Sequence, residues 1–460
     1  MGRELFTSRN NLSWFYPKLC KFQDDAGAIE GVLNNNYKDD GIDKLLYIHI
    51  PFCDSFCSYC ACFKELIHQY NDQDKLLFIN SLVKEMSILK KLNNDKKIKI
   101  RYIQFGGGTP SCLSNDLLLR LFDGISENMD LSENEGISFE GNVMSLNDYE
   151  KLKILKVSGV TRVSFGVQTF NKLLRKELNI KAKLSDVFGT VEKLNMVGIN
   201  SYALDLIYNL PNQTMDMLEN DLEIAGRELK PAFIQTYQFN QFNNTTLSNR
   251  IRGGEFKIQP TEEREKAMSE FIQTKMNQLG YGNRVLINLF SNVDTKPWTG
   301  IEMSLGNNKY NGSNMIGIGP GAMSYLKESN HRNVCSVRDY IGTLEKNMLP
   351  IECGHLSGDE EKLNKVMVCF PAFTKMKKMD IPEDNQIREK LKVLIENGYI
   401  NEDDQNIALS EKGLDWAGNI SYFFYSESEV KRIKNSYYQS IKHNRNPFNQ
   451  DNMNIAKKVN

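Results

Sequence analysis

Several things this chain lacks narrow its function before any motif is read. It has no net charge to speak of: 57 Lys and Arg against 58 Asp and Glu give −1 over 460 residues. No global pull toward nucleic acid or a membrane surface follows from that balance. Its longest apolar runs are only strand-sized, so no membrane-spanning helix is expected. The opening stretch MGRELFTSRNNLSWFYPKLCKF lacks the basic-then-apolar order of a secretory signal. Cysteine is sparse, nine in all, and unevenly spread. That distribution fits reduced thiols and a cytoplasmic protein better than a disulfide framework. Cys20, Cys112, Cys335, Cys353 and Cys369 are scattered and read as small buried apolar residues.

The remaining cysteines are crowded. Cys53, Cys57 and Cys60 form a C-x3-C-x2-C run directly after the apolar strand Leu45–Ile50, and Cys62 follows two residues on. Three thiolates in one tight loop can hold three irons of a four-iron cluster and leave the fourth iron open to a reactive ligand. No second C-x2-C knuckle and no H-x3-H follows. A compact zinc site using Cys62 as the fourth thiol stays open as the alternative.

From residue 43 the pattern alternates strand and helix. Strands are expected at 45–50, 99–105, 137–140, 162–165, 203–208 and 232–239. Helices are expected near 74–92, 115–128, 146–158, 170–178, 185–197, 215–228 and 262–279. Six βα repeats predict an α/β fold with a parallel sheet closed into a partial (β/α)6 TIM-type barrel, and its chemistry belongs at the C-terminal ends of the strands. The alternation stops near 345. The divisions expected are an N-terminal arm at 1–42, a barrel at 43–345, a small cap at 346–430 and a polar basic tail at 431–460. The arm carries an aromatic knot at Trp14, Phe15 and Tyr16, either packed on the barrel or covering its substrate. The cap reads as helix, short β-wing and helix, a winged-helix-like order. It carries acidic runs and no concentrated basic face, so a structural or substrate-covering role is expected, not DNA reading.

Further polar residues sit at strand ends. Gly106-Gly107-Gly108-Thr109-Pro110 closes the second strand and lets backbone approach a ligand. It is no phosphate loop, for the G-K-[ST] ending is missing. Glu140 closes the third strand, Gln168 the fourth, and Asp205 lies within an apolar strand, where a carboxylate needs partners or a function. The late run Gly317-Ile318-Gly319-Pro320-Gly321 again brings backbone near a ligand or another strand.

Taken together, YIHIPFC at 47–53 through Cys62, GGGTPS at 106–111, SFGVQTF at 164–170 and DLIYNLPNQT at 205–214 resemble the radical S-adenosylmethionine enzymes. The similar branch is that of oxygen-independent coproporphyrinogen III dehydrogenase, which includes the class C radical methyltransferases. The resemblance covers about residues 43–425. It implies that Cys53, Cys57 and Cys60 ligate a four-iron, four-sulfur cluster. Its open iron would chelate S-adenosylmethionine and yield a 5′-deoxyadenosyl radical. Gly107, Gly108 and Thr109 would line the methionine moiety and Tyr59 the adenine. Tyr47, Glu140, Gln168 and Asp205 would contact the nucleosides, and Cys62 would lie beside a second S-adenosylmethionine. Cys62, Tyr47 and Gln168 are the catalytic candidates. A flavodoxin or ferredoxin would supply the electron, and the substrate would be a small molecule, with no nucleic acid or membrane partner.

Departures from the branch shape the expectation. Its usual Arg after Leu-Asn is replaced here by Ile180 and then Lys181, so either Lys181 is expected to stand in for it or carboxylate recognition differs. The arm lacks the Tyr-Thr-Ser-Tyr-Pro pattern of coproporphyrinogen dehydrogenases. Haem-handling relatives often carry His after the late Gly-Ala, where this chain has Met323, and lack the equivalent of Cys62. The expectation is therefore a class C methyltransferase or cyclopropanase acting on an unsaturated small molecule. The alternative is oxidative decarboxylation of coproporphyrinogen III, or a haem-binding or haem-modifying relative.

Overall fold

The computed structural model describes Leu33 and residues 44–242, 245–286, 288–292, 314–326, 329–356 and 375–424. The N-terminal arm with its aromatic knot, the basic tail, Cys20 and Cys369 lie outside the described residues.

Six strands follow in chain order: β1 (Lys44–Ile50), β2 (Tyr102–Gly107), β3 (Gly136–Gly141), β4 (Val160–Gln168), β5 (Ser201–Tyr208) and β6 (Phe233–Gln238). Each pairs in parallel with the next, as the six repeats predict. The sheet continues past both ends of this run. Beyond β6, β7 (Asn283–Leu286) and β8 (Leu289–Ser291) add antiparallel, β8 lying next to β6. Beyond β1, β9 (Asn314–Ile318) pairs in parallel. It is followed by antiparallel β10 (Met323–Tyr325), β11 (Ser329–Asn333) and β12 (Ile351–Leu356). The main sheet thus takes in residues 351–356, past the limit of 345 read from the sequence. The late glycine run is explained by strand contact: Gly317 pairs with Tyr47, and a Cβ on it would run into the Met323 backbone.

Period-two patterning decides what faces where. Leu46, Ile48 and Ile50 of β1, Ile103 and Phe105 of β2, Ile137 and Phe139 of β3, and Val163, Phe165 and Val167 of β4 are buried in one core. Their chain neighbours Tyr47, His49, Gln104, Glu140, Ser164, Gly166 and Gln168 keep accessible surface and point to the other face, the barrel lumen. Burying a large aliphatic side chain contributes roughly 1.5–3 kcal/mol. A one-residue slip would expose the whole apolar set, so the register that aims the polar set inward is strongly specified.

Helices cover the apolar face. Asn71 caps α1 (Asp72–Leu92) through a capping box with Asp74, and Phe78, Ile79, Leu82, Met86 and Leu89 are buried. The later helices include α2 (Asn115–Asn128), α3 (Tyr149–Val157), α4 (Lys172–Glu177), α5 (Leu184–Met196), α6 (Met215–Glu223), α7 (Thr246–Arg252), α8 (Glu262–Gln278) and α9 (Val337–Glu345). No described helix is long and apolar enough to cross a membrane.

The C-terminal unit has its own core, built from Met376, Ile387, Leu391, Leu394, Tyr399, Ile400, Ile407, Leu409 and Ile420 among others. Helix α10 (Asn385–Glu396) precedes β14 (Ile400–Glu402) and β15 (Asn406–Leu409), an antiparallel hairpin whose inner strand also pairs with β13 (Lys375–Lys377). Asp403 closes the hairpin by accepting from the amides of Gln405 and Asn406. This is the helix-then-wing order read from the sequence.

One buried carboxylate ties α1 to the far edge of the sheet. Glu85 accepts from the Gly319 amide at 2.9 Å, from Asn333 Nδ2 at 2.7 Å and from the Tyr340 hydroxyl of α9. Burial pushes its pKa up to about 7, against the opposing effect of these donors. A raised carboxyl pKa contributes stability below its ordinary range, and that contribution is lost as pH rises through about 7. Removing a donor raises the carboxyl further, so Tyr340→Phe is expected to cost little at pH 6 and distinctly more at pH 8.5. Urea midpoints at the two pH values check this; an equal loss at both would contradict it.

Candidate functional site

The cysteine loop is held from three sides. The Gly108 amide donates to Ile50 O at 2.8 Å and the Thr109 amide to Phe52 O at 2.7 Å, which fixes the entry to the loop against the end of β2. Ser58, buried between Cys57 and Cys60, donates its amide to Leu178 O at 3.0 Å and its hydroxyl to Glu177 O at 2.9 Å. The Leu247 amide of α7 donates to Ser58 O at 2.9 Å. Asn179 Nδ2 donates to Phe56 O at 2.8 Å. The loop is therefore stapled to the connection that follows β4.

Each thiol has a different polar neighbour. Thr109 Oγ1 donates to Cys53 Sγ at 3.4 Å, while burial pushes Cys53 up to about 11. The Tyr59 hydroxyl hydrogen-bonds to Cys57, and burial raises that thiol as well. Cys60 goes the other way, down to about 5, through a hydrogen bond from Cys62 and then the Lys64 ammonium. Lys64 Nζ also donates to Cys60 O at 3.0 Å and Cys62 O at 3.4 Å. A thiolate is the metal-binding form, so Lys64 favours ligation.

The donor set fits a multi-iron cluster. Cys53, Cys57 and Cys60 share one electrostatic neighbourhood, each raising or coupling to another. Cys62 hydrogen-bonds to Cys60.

The lumen beside this loop is polar and crowded. Tyr47 and Glu140 meet over Gly106, where a Cβ would lie 3.1 Å from Glu140 Oε2 and 3.1 Å from the Tyr47 ring. The Gly107 amide donates to Glu140, yet burial lifts that carboxyl to about 7. Asp205 rises to about 8, by burial first and the nearby Glu140 second. Burial pushes the Tyr47 hydroxyl far up, with Glu140 and Cys62 adding to it. Gln168 sits at φ 69, an uncommon left-handed conformation for a non-glycine residue, at the end of β4. Tyr47, Glu140, Asp205 and Cys62 thus share one electrostatic neighbourhood, with Gln168 over Gly166, the β4 residue that pairs with Asp205.

Other contacts add to this picture. The glycines of 106–108 also answer a packing need. Gly107, at φ 112, lies over His49, whose Nε2 would be 2.7 Å from a Cβ; at Gly108 a Cβ would meet Phe52 O at 2.5 Å. Thr109 is turned to Cys53. The cation facing the two carboxylates is Arg162, which lowers both. Lys181 is exposed and lines a separate cavity with Lys172, Arg175, Lys176 and Lys183. The reason is the strand period: Arg162, Ser164, Gly166 and Gln168 share one face of β4, whereas Lys181 lies in the loop beyond α4.

Arg162, Lys64, Tyr237 and His49 were not singled out from the sequence. Arg162 could have been found as the lowest member of the inward set of RVSFGVQ. Tyr237 packs into the same electrostatic group, near Asp205, Glu140 and Arg162. His49 donates or accepts at Nδ1 with Tyr47 at 3.1 Å and stacks near Phe63. Its Nε2 and Gln104 Oε1 are buried without a hydrogen-bond partner. Unsatisfied buried polar atoms at such a mouth are what a polar ligand would satisfy.

Comparison with known proteins gives the same direction. A model described as the radical SAM superfamily matches residues 47–225. Heme chaperone HemW of Lactococcus lactis is 31% identical over 381 residues, 81% of this chain and 95% of that protein. Oxygen-independent coproporphyrinogen III oxidase of Cereibacter sphaeroides is 24% identical, over 78% of this chain and 79% of that protein. The solved structure of coproporphyrinogen III oxidase HemN from Escherichia coli superposes with a TM-score of 0.74 at 21% identity. It covers 87% of this chain and 93% of that one, which shows a shared fold.

Lys64→Ala removes the charge that helps to hold Cys60 ionised. Iron and sulfide bound after anaerobic reconstitution at pH 7 are expected to fall several-fold and to recover toward pH 9, where the thiol ionises unaided. Loading equal to the parent at pH 7 would count against this role.

Proposed function

The chain belongs to the radical S-adenosylmethionine superfamily, in the branch of haem chaperone HemW and oxygen-independent coproporphyrinogen III oxidase, and from that premise we propose that it cleaves S-adenosylmethionine reductively and acts on a tetrapyrrole. The family implies a four-iron, four-sulfur cluster and S-adenosylmethionine. When bound at Cys53, Cys57 and Cys60, the cluster supplies the electron that breaks the sulfonium C–S bond.

The observation that carries the proposal is the adjacency of the thiol loop to the lumen group of Tyr47, Glu140 and Asp205. Glu140 and Asp205 can accept from ribose hydroxyls or an ammonium group. With burial holding them near 7 and 8, an incoming cation favours their ionised forms. Arg162, beneath them, limits how far their charge is suppressed. Gln168 offers an amide at the rim. The apolar wall of Leu174, Leu178, Ile207, Leu210 and Phe239, against which Tyr59 packs, borders the loop and helps keep water from the reacting centre.

Methyl transfer, which the sequence puts first, draws no support from these relatives. Their names concern haem carriage and coproporphyrinogen oxidation, so the tetrapyrrole reading takes its place. Use of a second S-adenosylmethionine beside Cys62 becomes a subsidiary proposal. Haem carriage is kept as a second reading because the haem chaperone matches at the higher identity and over 95% of its own length.

Anaerobically reconstituted and reduced, the protein is expected to form 5′-deoxyadenosine from S-adenosylmethionine, faster with a tetrapyrrole present. Carbon dioxide from coproporphyrinogen III would mark oxidative decarboxylation; a stable haem complex with no turnover of coproporphyrinogen would mark carriage. The Cys57→Ala protein should lose the cluster absorbance and 5′-deoxyadenosine together. Absence of both tetrapyrrole binding and tetrapyrrole-stimulated cleavage would overturn the proposal.

A further inference from the structure

Reductive cleavage needs one electron per turnover from outside, so the loop that carries the thiols must meet its donor on an accessible face. Resting on the reading above, the geometry points to a docking surface for an acidic one-electron carrier protein, built from Phe56 of the thiol loop and the lysines of residues 172–183.

Phe56 lies between Cys53 and Cys57 and is 47% exposed. Lys64 Nζ stands 5.5 Å from its ring centroid. The Phe56 carbonyl accepts from Asn179, whose own side chain lines a cavity of about 540 Å³ together with Lys172, Lys176, Lys181 and Lys183. All four lysines are exposed. The loop and the basic face, far apart in sequence, are therefore joined by a direct hydrogen bond.

Charge here is concentrated against the background of the chain. Residues 172–183 (KLLRKELNIKAK) carry five cationic side chains and one carboxylate in a protein whose net charge is −1. That carboxylate, Glu177, is engaged by Arg250. Arg175 spends its donors on Val167 O, Thr169 O and Ala182 O, at 2.7, 3.0 and 2.8 Å, and so braces the segment. The lysines remain as a solvated field beside an apolar tip. An apolar contact at the redox loop with a charged rim suits brief, steered encounters, since rim charges raise the association rate and do little for final affinity. A short-lived complex is what a carrier that must leave after each electron requires. In that step the carrier loses one electron and the cluster gains it; no bond is made or broken.

The test compares the reconstituted parent with a K172E/K176E/K183E variant, using a strongly acidic flavodoxin in its hydroquinone form and, separately, dithionite. Calorimetry at low and high ionic strength and stopped-flow bleaching of the cluster are the readouts. The variant is expected to bind flavodoxin at least tenfold more weakly and to lose most of the salt dependence of cluster reduction. Its dithionite-driven 5′-deoxyadenosine formation should match the parent. Equal flavodoxin affinity and equal reduction rates in the two proteins would overturn the surface. So would an RNA oligonucleotide whose binding the variant loses while flavodoxin-driven reduction stays intact. If neither protein cleaves S-adenosylmethionine with dithionite, the functional reading falls, while the affinity comparison still decides the surface.

Discussion

Ser58 is the point on which the site depends. Its amide, hydroxyl and carbonyl each bond to a different partner, at Leu178, Glu177 and Leu247. A loop ordered before the metal arrives spares the cluster the cost of ordering it, about 1–2 kcal/mol for each backbone residue. The bonds of Ser58, with those of Gly108, Thr109 and Asn179, offset that cost by making the loop part of the barrel rim. The same bonds bring the connection after β4 beside the thiols, with Gln168 at one end and the lysine face at the other.

The lumen has its own constraint, which is charge under burial. Two carboxyls and one guanidinium lie below the rim with two tyrosines, Tyr47 and Tyr237. Burial lifts both carboxyls toward neutrality and Arg162 pulls them back, so their charge is poised to respond to a cationic ligand. A sulfonium and an ammonium are both such groups. The site is therefore one in which ligand charge and protein charge settle together, with Arg162 preventing complete loss of the anions.

Much of this was legible in sequence because it is periodic or local. The six βα repeats, the cysteine spacing, the strand-end positions of Glu140 and Gln168 and the place of Asp205 within an apolar strand all follow from patterns within a few residues. What escaped depended on contacts between distant segments. Lys181, read as a stand-in for a missing Arg, lies on an exposed loop, while Arg162, which faces Glu140 and Asp205, was passed over because its place on the inward face of β4 shows only once the strand is paired. The three glycines suggested a ligand cradle; in space they also make room for His49, Phe52 and the meeting of Tyr47 with Glu140. Residues 351–356 joined the main sheet through pairing with 329–333, a long-range register that no local pattern announces. Methyl transfer was favoured on the missing Tyr-Thr-Ser-Tyr-Pro pattern of the arm and on two single-residue departures, Met323 and Cys62; the relatives matched over most of the chain lend it no support.

The central claim is that the three-thiol loop leaves one iron open to the amine and carboxylate of S-adenosylmethionine. Pulsed electron paramagnetic resonance of the reduced cluster with S-adenosylmethionine carrying a 15N-labelled amine tests it most directly. The account predicts a 15N hyperfine coupling that appears on addition of the labelled compound and disappears when unlabelled compound replaces it. A cluster spectrum unchanged by S-adenosylmethionine, with no 15N coupling, would contradict it.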